Sequence, residues 1–250
     1  MRSLFLTVVG VLAFFACAPA VAAVTMTVRT VEHLGDRYTV VTVQLGAGVD
    51  IRLYGGQAGG VTFNEATATA KQEGRQVLAL MNGGMYGPDH GPVGLFVANG
   101  QESHALNLGA GEGNFYLAPN GVFWVDAKGL AHVTVSTAFP KDRSKVTLAT
   151  QSGPMLLVDG VVNAAFKPES TNKLRRNGVG VSADGQTVYL VISEGDVRFH
   201  DFATLFRDEL ACGNALFLDG VVSKLWAIGD EVLPPDKFGA VIAVTRQSTP

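Results

Sequence analysis

A carboxylate at the end of an apolar run is the first group in the chain whose position suggests chemistry. The run Ala215 to Leu218 is typical of a buried strand, and it stops at Asp219, which Gly220 follows. Ligand sites collect where strands end, because loops there display side chains held by a rigid scaffold. Ser223, four residues on, adds a hydroxyl. The segment could supply an acid or a base to a site, and an Asp-Gly turn between two strands explains it equally well.

Three other glycine-containing segments carry polar side chains that could join such a site. They are Asn82-Gly83-Gly84, Gln151-Ser152-Gly153 and Arg175-Arg176-Asn177-Gly178. Backbone N–H groups of a glycine-rich loop can bind oxyanions, and an asparagine amide both donates and accepts hydrogen bonds. An arginine before a strand can hold a phosphate or carboxylate through two parallel hydrogen bonds. Each segment could also be only a turn, a loop or a solvated pair of charges.

The elements that must position these residues follow from hydrophobic periodicity. Alternating residues at 25–33 and 37–45 predict a β-hairpin around Gly35. Asn64 and Asp201 are the predicted N-caps of two amphipathic helices. Turns recur through the rest of the chain, which contains 30 glycines. We expect one α+β domain with a large mixed or antiparallel sheet and about two to four packed helices.

The amino-acid composition limits the classes of function that the chain can have. Of the 250 residues, 47% are hydrophobic and 16% are charged, against roughly 25% charged in an average soluble protein. Such a chain can bury a sizeable core. The formal net charge of −3, with no basic patch interleaved with aromatic residues, argues against a nucleic-acid partner.

The N-terminus has the pattern of a secretion signal. Arg2 supplies a positive charge, residues 4–16 form an apolar core, and residues 20–23 provide small side chains for cleavage. The apolar stretch is short for a membrane span. We expect residues 1–22 to be a removed signal peptide and residues 23–250 to form a periplasmic or secreted domain.

Cysteine and histidine usage gives no sign of a metal or cofactor. Cys17 lies in a Phe-Phe-Ala-Cys segment that weakly resembles a bacterial lipoprotein cleavage box, which leaves lipidation as an alternative. Signal removal would leave only Cys212, so no intramolecular disulfide could form, and its apolar neighbours predict a buried structural thiol. The histidines lack metal-ligand spacing; they are His33, His90, His104, His132 and His200.

The order and spacing of the four segments resemble the phosphodiester glycosidase superfamily, over about two-thirds of the chain. The matching pieces are residues 79–86, 151–160 and 176–181, and then residues 201–206 leading to 215–223. The pattern is similar to that of a bacterial exported branch. One departure concerns the last motif, which reads Asp-Gly-Gly-Gly-Ser in one well-known type of member. Here Val221 and Val222 replace two glycines, and β-branched residues stiffen a loop.

The resemblance implies cleavage of a sugar from a phosphodiester at the anomeric carbon. Asp219 would be the nucleophile or the base that activates water, with Glu194 as the best second carboxylate. A phosphate ester is already a good leaving group, so strong acid assistance is less necessary than in ordinary glycosidases. The remaining candidates would bind substrate, with Arg176 as the phosphate clamp; they are Asn82, Gly83, Gly84, Gln151, Ser152, Gly220 and Ser223.

Two other functions fit the same residues. The chain could be a non-catalytic carbohydrate- or phosphoglycan-binding protein of the cell envelope, which the valines at positions 221 and 222 favour. It could also be a structural protein in the assembly of surface polymers, with the motifs serving only as turns. The expected partner is a small-molecule or glycan substrate with a sugar-1-phosphate linkage.

Overall fold

A computed structural model describes residues 25–46, 48–220 and 222–248. The predicted signal peptide with Cys17 lies outside these ranges, and so does Val221. In chain order the described strands and helices have the following bounds: β1 (Met26–His33), β2 (Asp36–Gln44), β3 (Val49–Gly55), β4 (Val61–Thr62), α1 (Phe63–Gln72), β5 (Arg75–Asn82), β6 (Phe96–Ala98), β7 (Gln101–His104), β8 (Gly121–Asp126), β9 (Ala131–Val135), β10 (Val146–Ser152), β11 (Met155–Val158), β12 (Val161–Val162), β13 (Asn177–Val181), β14 (Thr187–Ser193), α2 (Phe199–Asp208), β15 (Asn214–Asp219), β16 (Leu225–Ala227), β17 (Lys237–Phe238) and β18 (Ala240–Gln247).

The described strands form four sheets rather than the one large sheet expected from the sequence. The seven-stranded sheet has the order β1-β2-β14-β13-β15-β11-β12, and the five-stranded sheet has the order β7-β6-β10-β8-β9. The four-stranded sheet has the order β16-β5-β18-β3, and β17 pairs with β4. Neighbouring strands within these sheets run antiparallel, as between β13 and β15 or β5 and β18. The α+β class holds in outline, with two α-helices in the described ranges and a predominance of strand.

The main core lies where the sheets face one another. Val41, Leu190 and Leu216 of the seven-stranded sheet belong to the same buried cluster as Leu53 and Ile242 of the four-stranded sheet. Residues of the five-stranded sheet complete this cluster. Helix α2 covers the other face of the seven-stranded sheet, and helix α1 covers the four-stranded sheet. The seven-stranded and four-stranded sheets are therefore stacked face to face, with α2 and α1 on their outer faces.

Both helices begin at residues other than the predicted caps. The N-cap of α1 is Thr62, whose hydroxyl accepts from Glu65 N at 3.1 Å while the Glu65 carboxylate accepts from Thr62 N at 2.7 Å. This reciprocal pair satisfies two free donors at once, so it outcompetes Asn64. Arg198 precedes α2 without capping it, and Asp201 lies in the first turn, where it pairs with Arg198 at 3.0 Å.

Two glycines in β13 let α2 lie directly against the seven-stranded sheet. A Cβ atom at Gly180 would lie 2.6 Å from the Phe206 ring and 2.7 Å from Cys212 Sγ. A Cβ atom at Gly178 would lie 3.1 Å from the Phe202 ring of α2. Because side chains alternate along a strand, Asn177 points away from α2. Cys212 is buried, as predicted, and burial raises the pKa of its thiol to about 12.

Candidate active site

Three strand ends converge at the boundary between the seven-stranded and four-stranded sheets. Asn82 ends β5, Asn177 begins β13, and Asp219 ends β15. Asn177 and Asp219 are paired in register, with a β-bulge or irregularity immediately beside them. Such irregularities commonly re-aim a side chain near a functional site. The sequence-predicted residues Asn82 and Asp219 are thus brought together although 137 positions separate them.

A pair of buried asparagine amides joins the two sheets. Asn177 Nδ2 donates to Asn82 O at 3.0 Å and to Asn82 Oδ1 at 2.9 Å. Asn177 Oδ1 accepts from the backbone N–H of Asp219 at 2.8 Å. Both amides are almost fully buried, where an unmade hydrogen bond is costly. The orientation of both side chains is therefore fixed by partners on both sheets.

Asp219 is held as a partly buried carboxylate facing this amide pair. Its Oδ1 accepts from Gly220 N at 2.6 Å, and its Oδ2 lies 3.4 Å from Asn82 Nδ2. Burial raises the pKa of the Asp219 carboxyl, and hydrogen bonds from the Gly220 and Val222 backbones oppose the rise only in part. A carboxylate with a raised pKa is a stronger base than an exposed one, as catalytic bases often are.

The segment after Asp219 crosses from one sheet to the other around Asn82. Ser223 Oγ lies 2.9 Å from Asp219 O and 3.1 Å from Gly220 O, so its hydroxyl fixes the turn rather than the carboxylate. The Lys224 backbone N–H donates to Asn82 Oδ1 at 2.8 Å, and β16 then pairs with β5. Val222 packs against the core beneath α1. The crossover thus anchors itself to the residues that orient Asp219.

Tyr86, Lys224 and Asp236 extend the polar surroundings of Asp219. Burial raises the pKa of the Tyr86 hydroxyl, and the nearby charges of Asp219 and Asp236 raise it further. Tyr86 therefore stays a neutral hydrogen-bond donor through neutral pH. Lys224 Nζ lies 3.8 Å from Asp236 Oδ2, and both side chains are just over one-third exposed. Tyr86 thus lies near both the Asp219 carboxylate and the accessible Lys224–Asp236 ion pair.

The two glycines after Asn82 have protein partners for their N–H groups. Gly83 N donates to Ala240 O at 2.8 Å, and Gly84 N lies 3.3 Å from Thr150 Oγ1. A Cβ atom on Gly84 would lie 2.3 Å from the Gln151 carbonyl oxygen. These glycines allow close packing of the loop onto β10 and β18, and their N–H groups are committed to that packing.

Gln151 and Ser152 are buried supports behind the site. Gln151 Oε1 accepts from Leu95 N and Asn107 N, at 3.0 and 2.9 Å, and its Nε2 donates to Asn107 O at 2.7 Å. Ser152 Oγ donates to Leu218 O at 3.0 Å, one residue before Asp219. Ser152 therefore positions the end of β15, whereas Gln151 holds together the loops around β10.

Arg176 lies on the α2 side of the sheet, away from the amide pair. Its side chain is fully buried, and its guanidinium carbon lies 3.6 Å from the centre of the Phe199 ring. Arg176 Nε donates to Val197 O at 2.9 Å, and another nitrogen donates to Asn172. Burial lowers its pKa to about 10. Lys224, by contrast, is tied through its backbone N–H to Asn82, which also lies beside Asp219.

Glu194 is exposed at the end of β14 in the seven-stranded sheet, beside β2 and away from β15. It forms an ion pair with Arg37 at 3.4 Å and lies within 3.5 Å of Thr39 Oγ1. Strand β13 lies between β14, which Glu194 follows, and β15, which Asp219 ends. The structure does not bring the two carboxylates together.

Metal ligation has no support in the described part of the chain. The described residues contain no group of three or more histidine, cysteine, aspartate or glutamate side chains placed to hold an ion. His90 stacks on Tyr86 with ring centroids 5.1 Å apart, so it lies beside the site as part of its wall.

No helix in the described ranges is long and apolar enough to cross a membrane.

Sequence reasoning passed over Asn177, Tyr86, Lys224 and Asp236 as site residues. Gly178 and Gly180 mark the face of β13 that α2 covers, and they assign Asn177 to the opposite face once that packing is known. No local pattern distinguishes Lys224 from other surface lysines. Its role depends on the crossover between the sheets.

Comparison with known proteins assigns the chain to a family. Residues 75–244 match the family described as phosphodiester glycosidase. The chain belongs to that family and is a glycosidase-type hydrolase. The matched range contains Asn82, Asn177 and Asp219.

Individual proteins resemble the chain in sequence or in fold. An uncharacterised protein of Escherichia coli strain K12, YigE, is 38% identical over 177 residues, which cover 71% of this chain and 68% of that protein. The auto-inhibited catalytic domain of zebrafish N-acetylglucosamine-1-phosphodiester alpha-N-acetylglucosaminidase has a similar fold, with a TM-score of 0.60 and 14% identity over 88% of this chain and 81% of that one. A hypothetical protein from Synechocystis gives a TM-score of 0.53 and 16% identity over 88% and 62%.

Proposed function

We propose that this protein cleaves the glycosyl–phosphate bond of a sugar-1-phosphodiester, within a glycan of the cell envelope or extracellular space. The observation that carries the proposal is the Asp219 carboxylate, which is partly buried and is oriented by Asn82 and Asn177. Burial raises its pKa. The zebrafish protein of similar fold is named for a sugar-1-phosphodiester substrate. A single well-held carboxylate suits that bond, because the departing phosphate needs little protonation.

Asp219 acts on the anomeric carbon in one of two ways. As a nucleophile it forms a bond to that carbon while the bond to the phosphate oxygen breaks, and water then releases the sugar. As a base it takes a proton from water, whose oxygen attacks the carbon directly. In both routes the phosphate leaves with the bonding electron pair. The anomeric configuration of the released sugar distinguishes the routes, since the first retains it and the second inverts it.

Lys224 is the best candidate to neutralise the departing phosphate. Its backbone is fixed to Asn82, and its ammonium group is accessible beside Asp236. The neutral Tyr86 hydroxyl can donate to a sugar or phosphate oxygen without adding charge. Arg176 is fully buried against Phe199. In this proposal it does not contact the phosphate and instead holds the start of β13 in position.

The proposal includes export from the cytoplasm. Its support is the N-terminal pattern of a positive residue, an apolar core and small residues before position 24. Cleavage after the small residues would give a soluble exported protein, and lipidation of Cys17 would give an anchored one. Mass spectrometry of the protein recovered from a bacterial envelope distinguishes the two products.

The decisive experiment measures sugar release from a panel of sugar-1-phosphodiesters by the wild type, Asp219→Asn and Asp159→Asn. Asp159 is a matched control because it also lies in an Asp-Gly turn of the seven-stranded sheet, with its side chain exposed. We expect release by the wild type and Asp159→Asn and none by Asp219→Asn. Full activity of Asp219→Asn would refute the assignment of the carboxylate.

A non-catalytic carbohydrate-binding role is the second candidate. It is favoured by Val222, which packs against the core beneath α1 at a position where one type of family member has glycine. Under this proposal the wild type releases no sugar from any phosphodiester, yet sugar phosphates raise its melting temperature. Sugar release that depends on Asp219 would exclude this role.

A further inference from the structure

A separate groove opens on the other side of the loop that carries Tyr86. The groove has a volume of about 640 Å3 and lies between the loops around Gln57, Asp89 and His104. The Tyr86 loop is rigid, because Val93 N donates to Met85 O at 3.0 Å and Gly87 N donates to Gly91 O at 2.8 Å. Gly87 and Gly91 line the groove, so one short hairpin borders both the groove and the Asp219 site.

The polar groups of the groove are those that recognise hydroxyls rather than anions. Among the described residues its lining contains no lysine or arginine, and Asp89 places a carboxylate there, which repels phosphate and other acids. Asp89 Oδ1 accepts from Gly91 N at 2.9 Å, which leaves its second oxygen for a ligand. Gln57 and His104 are exposed at the rim and can each donate or accept.

An aromatic ring supplies the apolar component that a sugar ring needs. Tyr116 lines the groove and is partly buried. One side of its ring is covered by Gly111, where a Cβ atom would lie 2.5 Å away, and Phe115 packs edge-on with ring centroids 5.0 Å apart. Such support holds the ring still, and a fixed tyrosine offers both a flat apolar surface and a hydroxyl.

We propose that this groove is a subsite for neutral sugar units that extend the substrate beyond the scissile glycosyl–phosphate bond. Its volume lies within the range of roughly 300–1,000 Å3 typical of small-molecule sites, so it accommodates more than one sugar ring. The groove adjoins the Asp219 site in the chain, because Gly87 lines the groove and directly follows Tyr86, whose hydroxyl is close enough to Asp219 for that charge to raise its pKa. The assignment to an extended substrate rests on the proposed function, and the preferred substrate is then a glycan rather than a small sugar phosphate.

The test is calorimetric titration of the Asp219→Asn protein, which separates binding from turnover. The probes are neutral tetrasaccharides of glucose and of N-acetylglucosamine, the two monosaccharides, and tetragalacturonate as an acidic counterpart. We expect at least one neutral tetrasaccharide to bind saturably, roughly tenfold or more tighter than its monosaccharide and than tetragalacturonate. Failure of both neutral tetrasaccharides to bind would overturn the proposal, and so would equal binding of tetragalacturonate.

Variants assign the binding to this groove. Gln57→Ala and Tyr116→Ala, made in the same protein, should each weaken the neutral tetrasaccharide by roughly fivefold or more. Gln186→Ala is the matched control, since Gln186 is also an exposed loop glutamine and lies in the turn between β13 and β14. Unchanged affinity in both groove variants would refute the location. Because no sugar release is measured, binding can persist if the cleavage proposal fails, and cleavage can persist if the groove proposal fails.

Discussion

Replacing Asn177 by alanine tests whether the amide pair holds the site together. The change removes the donor to Asn82 and the acceptor of the Asp219 N–H, both at distances below 3.1 Å and both buried. Leaving a buried group unsatisfied costs about 1–3 kcal/mol, and the truncated side chain leaves a small cavity. We therefore expect a loss of about 2–4 kcal/mol in the free energy of unfolding, together with loss of sugar release.

The assay is urea unfolding followed by tryptophan fluorescence, with sugar release measured on the folded protein. Asn214→Ala is the control, because Asn214 lies in the same sheet and its side chain accepts one hydrogen bond, from Asp159 N at 3.0 Å. A single ordinary hydrogen bond contributes about 0.5–1.5 kcal/mol to the free energy of unfolding. The control should therefore lose no more stability than that, and it should retain activity. If Asn177→Ala is no less stable than Asn214→Ala and remains active, the proposed role of the amide pair is wrong.

Three further predictions concern pH, helix packing and helix capping. Activity that needs ionised Asp219 should fall as the pH drops through a pKa above the ordinary 3.8, because burial raises that pKa; a limb of the kcat/KM profile at or below 3.8 would contradict this. Gly180→Ala should lower the free energy of unfolding by about 1–3 kcal/mol through overpacking against α2, whereas Gly195→Ala, with open space around it, should change it little in urea titrations. Thr62→Ala should cost about 1 kcal/mol by removing the α1 cap, and Asn64→Ala should cost less; the reverse order would restore Asn64 as the cap.

Local patterns predicted the elements of this fold better than their assembly. The β1–β2 hairpin follows from alternation on both sides of a turn in which Leu34 and Gly35 have positive φ angles of 49° and 84°. The division into four sheets could not be predicted from local patterns, because the sequence of an apolar strand does not specify which strand pairs with it. The site shows the same limit. The end of β15 at Asp219 is visible in the sequence, whereas its contact with Asn82 depends on the stacking of two sheets.

The choice between Arg176 and Asn177 shows why neighbouring residues are hard to separate. Successive side chains in a strand point to opposite faces of the sheet. Choosing the neighbouring residue therefore places the predicted ligand on the wrong face. Arginine is the stronger phosphate ligand in general chemistry, and that preference favoured Arg176. The two glycines of β13 reveal the helix-covered face only when the strand is known to pack against α2.

The location of Asp219 at a boundary between sheets makes the chemistry sensitive to how the layers are stacked. Asn177 belongs to one layer and Asn82 to the other, and their hydrogen bonds cross the boundary. A small separation of the layers would break these bonds while leaving the hydrogen bonds within each sheet intact. Mild denaturant or heat should therefore abolish turnover before the β-sheet signal changes. Catalysis then reports the spacing of the two sheets, a property that measurements of secondary structure do not detect.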